Sequence, residues 1–256
     1  YTMNKKTSHS IIENIILKFP KFSNRIFNYT SRNKLGKFID QLKKNKIDIK
    51  YVYDIGANVG EWSSFYKKTS LKNSFFYLFE ANESHREILE KKNFNFFIET
   101  LSDKIKIVDF YNNNNSTGDS YFKESTGNHD NLPTQKIKTT TLNELVISNN
   151  LPLPDLIKID TQGSEIDILK GATKILENCK LLYLECPIFE NFNKNNLNIL
   201  DYFKHLKELG FIPQDINQIH HYGGFLVQLD VLFIKKELHQ KLGSNPSLLK
   251  SLYLAK

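Results

Sequence analysis

The chain has 256 residues, a formal net charge of +7 and two cysteines, Cys179 and Cys186. This length buries a core without covalent staples and suits one large α/β domain, while two cysteines exclude a disulfide framework or a structural zinc site and point to a reducing, cytoplasmic setting. No apolar run reaches the roughly 18 residues of a membrane span, no leader pattern is recognisable, and the lysines are scattered, which speaks against a nucleic-acid partner and leaves a modest bias towards anionic substrates.

Ile11, Ile12, Ile15 and Ile16 form a helical stripe within Ser8–Asn28, interrupted by Pro20, and Leu35, Phe38, Ile39 and Leu42 form a second. Residues 1–48 therefore read as a helical extension packed on a main domain of residues 49–256. Such an extension can edge the sheet, roof a cofactor or make a homodimer contact; basic residues flanking its apolar face leave a membrane-surface role as the alternative.

From Tyr51 the pattern alternates strand and helix. Tyr51–Ile55 is an apolar strand, Gly56-Ala57-Asn58-Val59-Gly60 a turn, and Glu61–Lys68 a helix. Strand, glycine-bearing turn and helix start make a nucleotide cradle, because glycine allows close backbone approach and the helix presents unpaired N–H groups. The dinucleotide fingerprint places its acid about 20 residues after three glycines. Here Asp54 precedes only two, Gly56 and Gly60, with Asn58 between them. A carboxylate at that place repels a pyrophosphate and suits an ammonium group, which favours S-adenosylmethionine over NAD.

The strand Phe75–Phe79 runs into Glu80, the place for an acid that accepts from a ribose diol. A helix over Glu83–Lys92 and a strand over Phe94–Thr100 come after it, then Ser102 and Asp103, candidates for the adenine edge or for a plain turn. Capping roles are the bland alternatives for Asp54 and Glu80. Ile105–Tyr111 and Gln135–Thr141 alternate as strands and enclose a polar excursion, Asn112–Pro133, with Asp119, Tyr121, His129 and Asp130 as lid candidates.

Leu142–Ser148 is a short helix. Leu156–Ile159 is a buried strand ending in Asp160, and an amphipathic helix spans Glu165–Leu176. Lys180–Glu185 is the next strand, Asn196–Leu209 a helix stopped by Gly210, and Phe211–Ile216 and Leu226–Lys235 are closing strands joined through His220-His221-Tyr222-Gly223-Gly224. Asp230 reads as a structural partner within the last strand.

These residues resemble the FkbM-type methyltransferases that use S-adenosylmethionine. The resemblance rests on Asp54-Ile55-Gly56-Ala57-Asn58-Val59-Gly60, Phe79-Glu80-Ala81-Asn82, Leu101-Ser102-Asp103-Lys104, Ile157–Glu165 with Leu169-Lys170-Gly171, Leu181–Glu185 and Gln228–Ile234. It implies a Rossmann-like class I methyltransferase fold: a mostly parallel seven-stranded sheet with one antiparallel strand and helices on both faces, here with N-terminal helices and an inserted β-hairpin excursion. It also implies O-methylation, often of sugars. By position it assigns Asp54, Gly56, Asn58 and Gly60 to the methionine end of the cofactor, Glu80 to its ribose, and Ser102 and Asp103 to its adenine. The family commonly has an acid where this chain has Gln162.

Methyl transfer to an alcohol needs alignment and a group to take the proton. The candidates are Asp160, Glu185 and the His220/His221 pair, His221 in particular; Asp160 and Glu185 could instead share a divalent cation. The expected acceptor is a sugar hydroxyl, on a nucleotide-linked sugar or a surface-polysaccharide precursor. The rivals are a nucleic-acid methyltransferase, for which Asp160-Thr161-Gln162-Gly163 lacks the Asn/Asp-Pro-Pro-aromatic tetrad, and a non-catalytic nucleotide-binding scaffold.

Overall fold

The computed structural model describes residues 34–112, 118–123, 130, 132–190 and 197–243. The stripe within Ser8–Asn28 and the lid candidate His129 lie outside them.

A helix over residues 34–44 (α1) precedes strand β1, Tyr51–Ile55. Its stripe, Leu35, Ile39 and Leu42, is buried in one cluster with Val52, Tyr66, Phe76 and Leu78. Next in the chain are helix α2 (Glu61–Lys68), β2 (Phe75–Glu80), a single 3-10 turn at Glu83–His85 and α3 (Arg86–Lys91). The helix expected over Glu83–Lys92 thus starts as a tighter turn, capped by the Asn82 side chain accepting from Ser84 N–H.

The remaining elements are β3 (Asn95–Ile98), β4 (Thr100–Leu101), β5 (Ile107–Tyr111), β6 (Thr134–Thr140), α4 (Leu142–Ser148) and β7 (Leu156–Ile159). Then come α5 (Glu165–Lys170), α6 (Thr173–Leu176), β8 (Leu181–Pro187), α7 (Ile199–Glu208), β9 (Phe211–Tyr222), β10 (Phe225–Lys235) and α8 (Lys236–Gly243). Seven strands make one sheet in the order β3-β2-β1-β7-β8-β10-β9. Among them β10 runs against its neighbours β8 and β9, as the resemblance implies. The central strands are short and apolar on both faces because clusters of side chains cover both. A second sheet, β4-β6-β5, carries the expected antiparallel excursion, with Ile107 opposite Lys138 and Tyr111 opposite Thr134.

Three elements differ from the sequence reading. The single strand expected over Phe94–Thr100 is two strands in two sheets, parted at Glu99. The helix expected over Glu165–Leu176 is broken at Gly171, where an added Cβ would come 2.2 Å from the Ser102 carbonyl oxygen; the chain gives up helical continuity to pass under that loop. The first closing strand runs to Tyr222, so His220 and His221 lie in a strand, turned back by Gly223 and Gly224, both at positive φ.

Candidate active site

The carboxyl ends of β2, β1, β7 and β8 and the middle of β10 border one cavity of about 450 Å³. In a doubly wound sheet this is where ligands bind. Along this edge stand Glu80, Ile55–Gly56, Asp160 and Glu185, with Asp230 of mid-β10 beside Glu185, all in its lining.

Glu80 organises one side. Its carboxylate accepts from the backbone N–H of Asn58 at 2.6 Å and of Asn82 at 2.8 Å. The acid therefore ties the turn after β1 to the end of β2. Asn58 holds a left-handed conformation, φ 50, which asparagine tolerates better than most residues.

Asp54 does not line the cavity. It is fully buried behind the turn, accepts from Ser63 Oγ at 2.6 Å and lies 3.2 Å from Lys158 Nζ. Burial raises its pKa, and Lys158 and Ser63 partly offset that. Gly60 also faces inward, where a Cβ would meet Leu78 and Leu89. Gly56 does line the cavity, but with φ +70 and a Cβ position 2.0 Å from the Asp160 carbonyl oxygen its first duty is to let the ends of β1 and β7 meet. Gly56→Ala is expected to cost about 2–3 kcal/mol, checked by urea unfolding followed by circular dichroism.

Lys158, mid-strand in β7, donates to the Gly56 carbonyl at 2.9 Å and lies 3.4 Å from Asp160 as well. Burial alone would lower its pKa, but the carboxylates of Asp54 and Asp160 hold it above the ordinary lysine value. The sequence reading missed this residue. Its signal is a lone charge in an otherwise apolar strand, Leu156–Ile159, which demands a buried partner.

On the other side, the Gln162 amide, at φ 55, donates to Asp160 at 3.0 Å and to Glu185 at 2.8 Å. That amide stands where a cation shared by the two carboxylates would have to sit, so the shared-cation arrangement does not fit this chain. Glu185 carries a raised pKa, first through burial and then through the nearby acids Asp160, Asp230 and Glu165. The turn itself is held by Glu165, a second residue the sequence reading missed: it accepts from Thr161 N–H at 2.8 Å, from Gly163 N–H at 3.0 Å and from Tyr202 Oη at 2.7 Å.

The two histidines part company. His220 Nε2 lies 2.9 Å from Asp230 Oδ1, and Tyr183 Oη donates to the other Asp230 oxygen at 2.9 Å. His221 pairs across the hairpin with Leu226, which packs against one of the two core clusters. His221 is therefore not brought to the cavity, and Asp230, read from sequence as structural only, is. Glu185, His220 and Asp230 keep their ligand atoms within 4.8 Å of one another, but the imidazole and Asp230 already satisfy each other.

Ser102 and Asp103 also stand outside the lining. Ser102 is buried and bonds Asp103 and Tyr121, and Asp103 pairs with Lys106 at 2.7 Å. Thr100, Leu101 and Phe110 line the cavity in their place, with Asp119 and Tyr121 of the excursion. Asp119 accepts from Asn82 Nδ2 at 2.7 Å.

Comparison with known proteins places this geometry. Residues 54–213, more than half of the chain, match the family model described as the methyltransferase FkbM domain. A stretch of 49 residues is 39% identical to the hexuronic acid methyltransferase AglP of Haloferax volcanii, covering 19% of this chain and 20% of that protein. The crystal structure of methyltransferase FkbM from Methylobacillus flagellatus aligns over 73% of this chain and 43% of its own, at 15% identity and a TM-score of 0.46. Magnesium protoporphyrin IX methyltransferase from Synechocystis, with bound S-adenosylmethionine, aligns over 82% and 81% at 11% identity and 0.47. The chain thus spans about a fifth of the curated relative it matches and under half of the first of these structures. Family membership rests on the domain match and not on these partial superpositions.

Proposed function

This chain belongs to the FkbM methyltransferase family, and from that premise we propose that it transfers a methyl group from S-adenosylmethionine to a sugar hydroxyl, on a nucleotide-linked sugar or a surface-polysaccharide precursor. The observation that carries the reading is the cavity that joins Glu80 to Asp160 and Glu185. Three strand spacings separate β2 from β8, roughly 14 Å, the room an extended nucleoside and an acceptor need side by side.

The residues fit the cofactor. Glu80 keeps lone pairs for a ribose diol while its backbone partners hold it still. The Gly56–Asn58 turn suits the methionine end, with Asp54 acting from behind through Lys158 and the turn. Phe79, Leu101, Phe110 and Ile168 offer apolar walls to a base. When bound, S-adenosylmethionine supplies an electrophilic methyl carbon; the chain's part is to align the acceptor and remove its proton. Glu185, kept basic by burial and like charge and oriented by Gln162, takes that proton, and Asp160 accepts a second hydroxyl and fixes the acceptor's direction.

Support for the sugar comes from the stretch shared with the hexuronic acid enzyme and from a site rich in carboxylate acceptors. Because the Gln162 amide occupies the space between Asp160 and Glu185, a chelator is expected to leave turnover unchanged. Among the described residues no helix is long and apolar enough to cross a membrane. The test is calorimetry with S-adenosylhomocysteine, then mass-spectrometric detection of methyl transfer to a panel of nucleotide sugars, with and without chelator. Glu80→Ala should weaken S-adenosylhomocysteine by about 10- to 100-fold, since charge-assisted hydrogen bonds contribute about 1.5–3 kcal/mol each. Unchanged affinity in that variant, or binding of NAD in place of S-adenosylhomocysteine, would overturn the reading.

A further inference from the structure

The β9–β10 hairpin overreaches the sheet. The last β8–β10 pair is Pro187 with Gln228, at the carboxyl end of β8, and the hairpin continues past it to the Gly223–Gly224 turn. The overhang therefore rises on the side of the sheet edge where Asp160 and Glu185 open.

Its two faces differ. β9 itself skips no residue from Gln218 to Tyr222, the register shift opposite His220 and His221 being taken up by Val227 of β10, so Gln218, His220 and Tyr222 share a face. Gln218 lines the cavity and His220 bonds Asp230, so that face is the cavity face. Tyr222 pairs directly with Phe225, which puts both rings on it. They are 78% and 70% exposed, an unusual cost for two aromatic rings unless something apolar lies on them.

The cavity, whose lining reaches β9 at Gln218, has a marked charge balance at the end nearest the overhang. Asp160, Glu185 and Asp230 line this end of the cavity. The two cationic side chains among the described lining residues, Lys158 and His85, already face acids: Lys158 faces Asp54 and Asp160, and His85 lies 3.6 Å from Glu80. His220 is held by Asp230. A carboxylate brought here would meet carboxylates, whereas hydroxyls would find acceptors.

Resting on the sugar reading above, we propose that the acceptor ring is a neutral pyranose, stacked on Tyr222 and Phe225 with its hydroxyls donating to Asp160 and Glu185, and that uronic acids are rejected at this subsite. The overhang supplies an apolar face and the cavity supplies acceptors, which together match a pyranose with one hydrophobic side and a rim of hydroxyls. The specificity would then differ from that named for the hexuronic acid enzyme, with which the chain shares only 49 aligned residues.

The test uses the full chain saturated with S-adenosylhomocysteine. Methyl β-D-glucopyranoside, methyl β-D-galactopyranoside, methyl α-D-mannopyranoside and methyl β-D-glucuronide are titrated by saturation-transfer difference NMR. At least one neutral glycoside is expected to bind about tenfold more tightly than the glucuronide, and Tyr222→Ala and Phe225→Ala each to weaken it several-fold, about tenfold together. Both rings are exposed, so S-adenosylhomocysteine affinity and melting temperature should hold. Glu185→Gln should narrow the gap between neutral and acidic sugars. A glucuronide that binds wild type as well as the neutral glycosides do, or neutral binding indifferent to both ring deletions, overturns this inference and leaves the sugar reading standing. A protein that binds S-adenosylhomocysteine but none of the four glycosides overturns this inference, and one that also methylates no member of the nucleotide-sugar panel overturns the sugar reading.

Discussion

Lys158→Met is expected to destabilise the folded chain by about 3–5 kcal/mol, measured by urea unfolding at neutral pH, because it strips the partner from a buried acid. Asp54 is fully buried, and without Lys158 the Ser63 hydroxyl is the one side-chain donor left to it among the described residues. The Gly56 carbonyl would lose its donor as well. The pH dependence has a definite sign. Asp54 has a folded pKa above its unfolded value, so its burial opposes folding while it is ionised and ceases to do so as pH falls through that raised value. The deficit of Lys158→Met should therefore shrink on acidification. Adding Asp54→Asn should restore part of the loss, since a neutral amide tolerates the site better than an unpaired charge. A deficit below about 1 kcal/mol in the single variant, against the range for broken buried pairs, would mean that the lysine is not the counter-charge described.

The second large effect is on rate. Glu185→Gln should lower kcat by about 10²–10⁴-fold, the range for removal of a general base, with S-adenosylhomocysteine affinity unchanged. A base works deprotonated. Since burial and the neighbouring carboxylates raise the Glu185 pKa, the rising limb of kcat against pH should lie above the ordinary carboxylate range. Asp160→Asn removes one of those charges and should move the limb to lower pH, even where it also reduces the rate. Near-normal turnover in Glu185→Gln would transfer the role elsewhere.

Much of the scaffold was legible because apolar runs and their terminating acids obey simple rules. Tyr51–Ile55, Glu61–Lys68 and Leu142–Ser148 fall where patterning puts them, and Glu80, Asp160 and Glu185 line one cavity because each ends, or nearly ends, a parallel strand. What was hidden depends on contacts between distant segments. Nothing local marks Gly171 as a helix break; the reason is the Ser102 carbonyl above it. The bulge at Val227 shifts register between Leu226 and Gln228, and with the faces fixed only by pairing, the adjacent histidines could not be told apart from composition. Asp54 shows the same limit. Its place before the turn was plain, but its counter-ion comes from a strand more than a hundred residues later, and that pairing draws the carboxylate behind the cavity wall.

Glu99 is the lone residue between Ile98, in the large sheet, and Thr100, in the small one, and its amide is bonded to the Glu80 carbonyl at 2.8 Å. A chain that changes sheets across so short a bridge tolerates no insertion or deletion there without dragging Glu80 out of register. Homologues that vary in length should accordingly lodge their extra residues in the excursion between Tyr111 and Thr134 and keep the Ile98–Thr100 spacing constant.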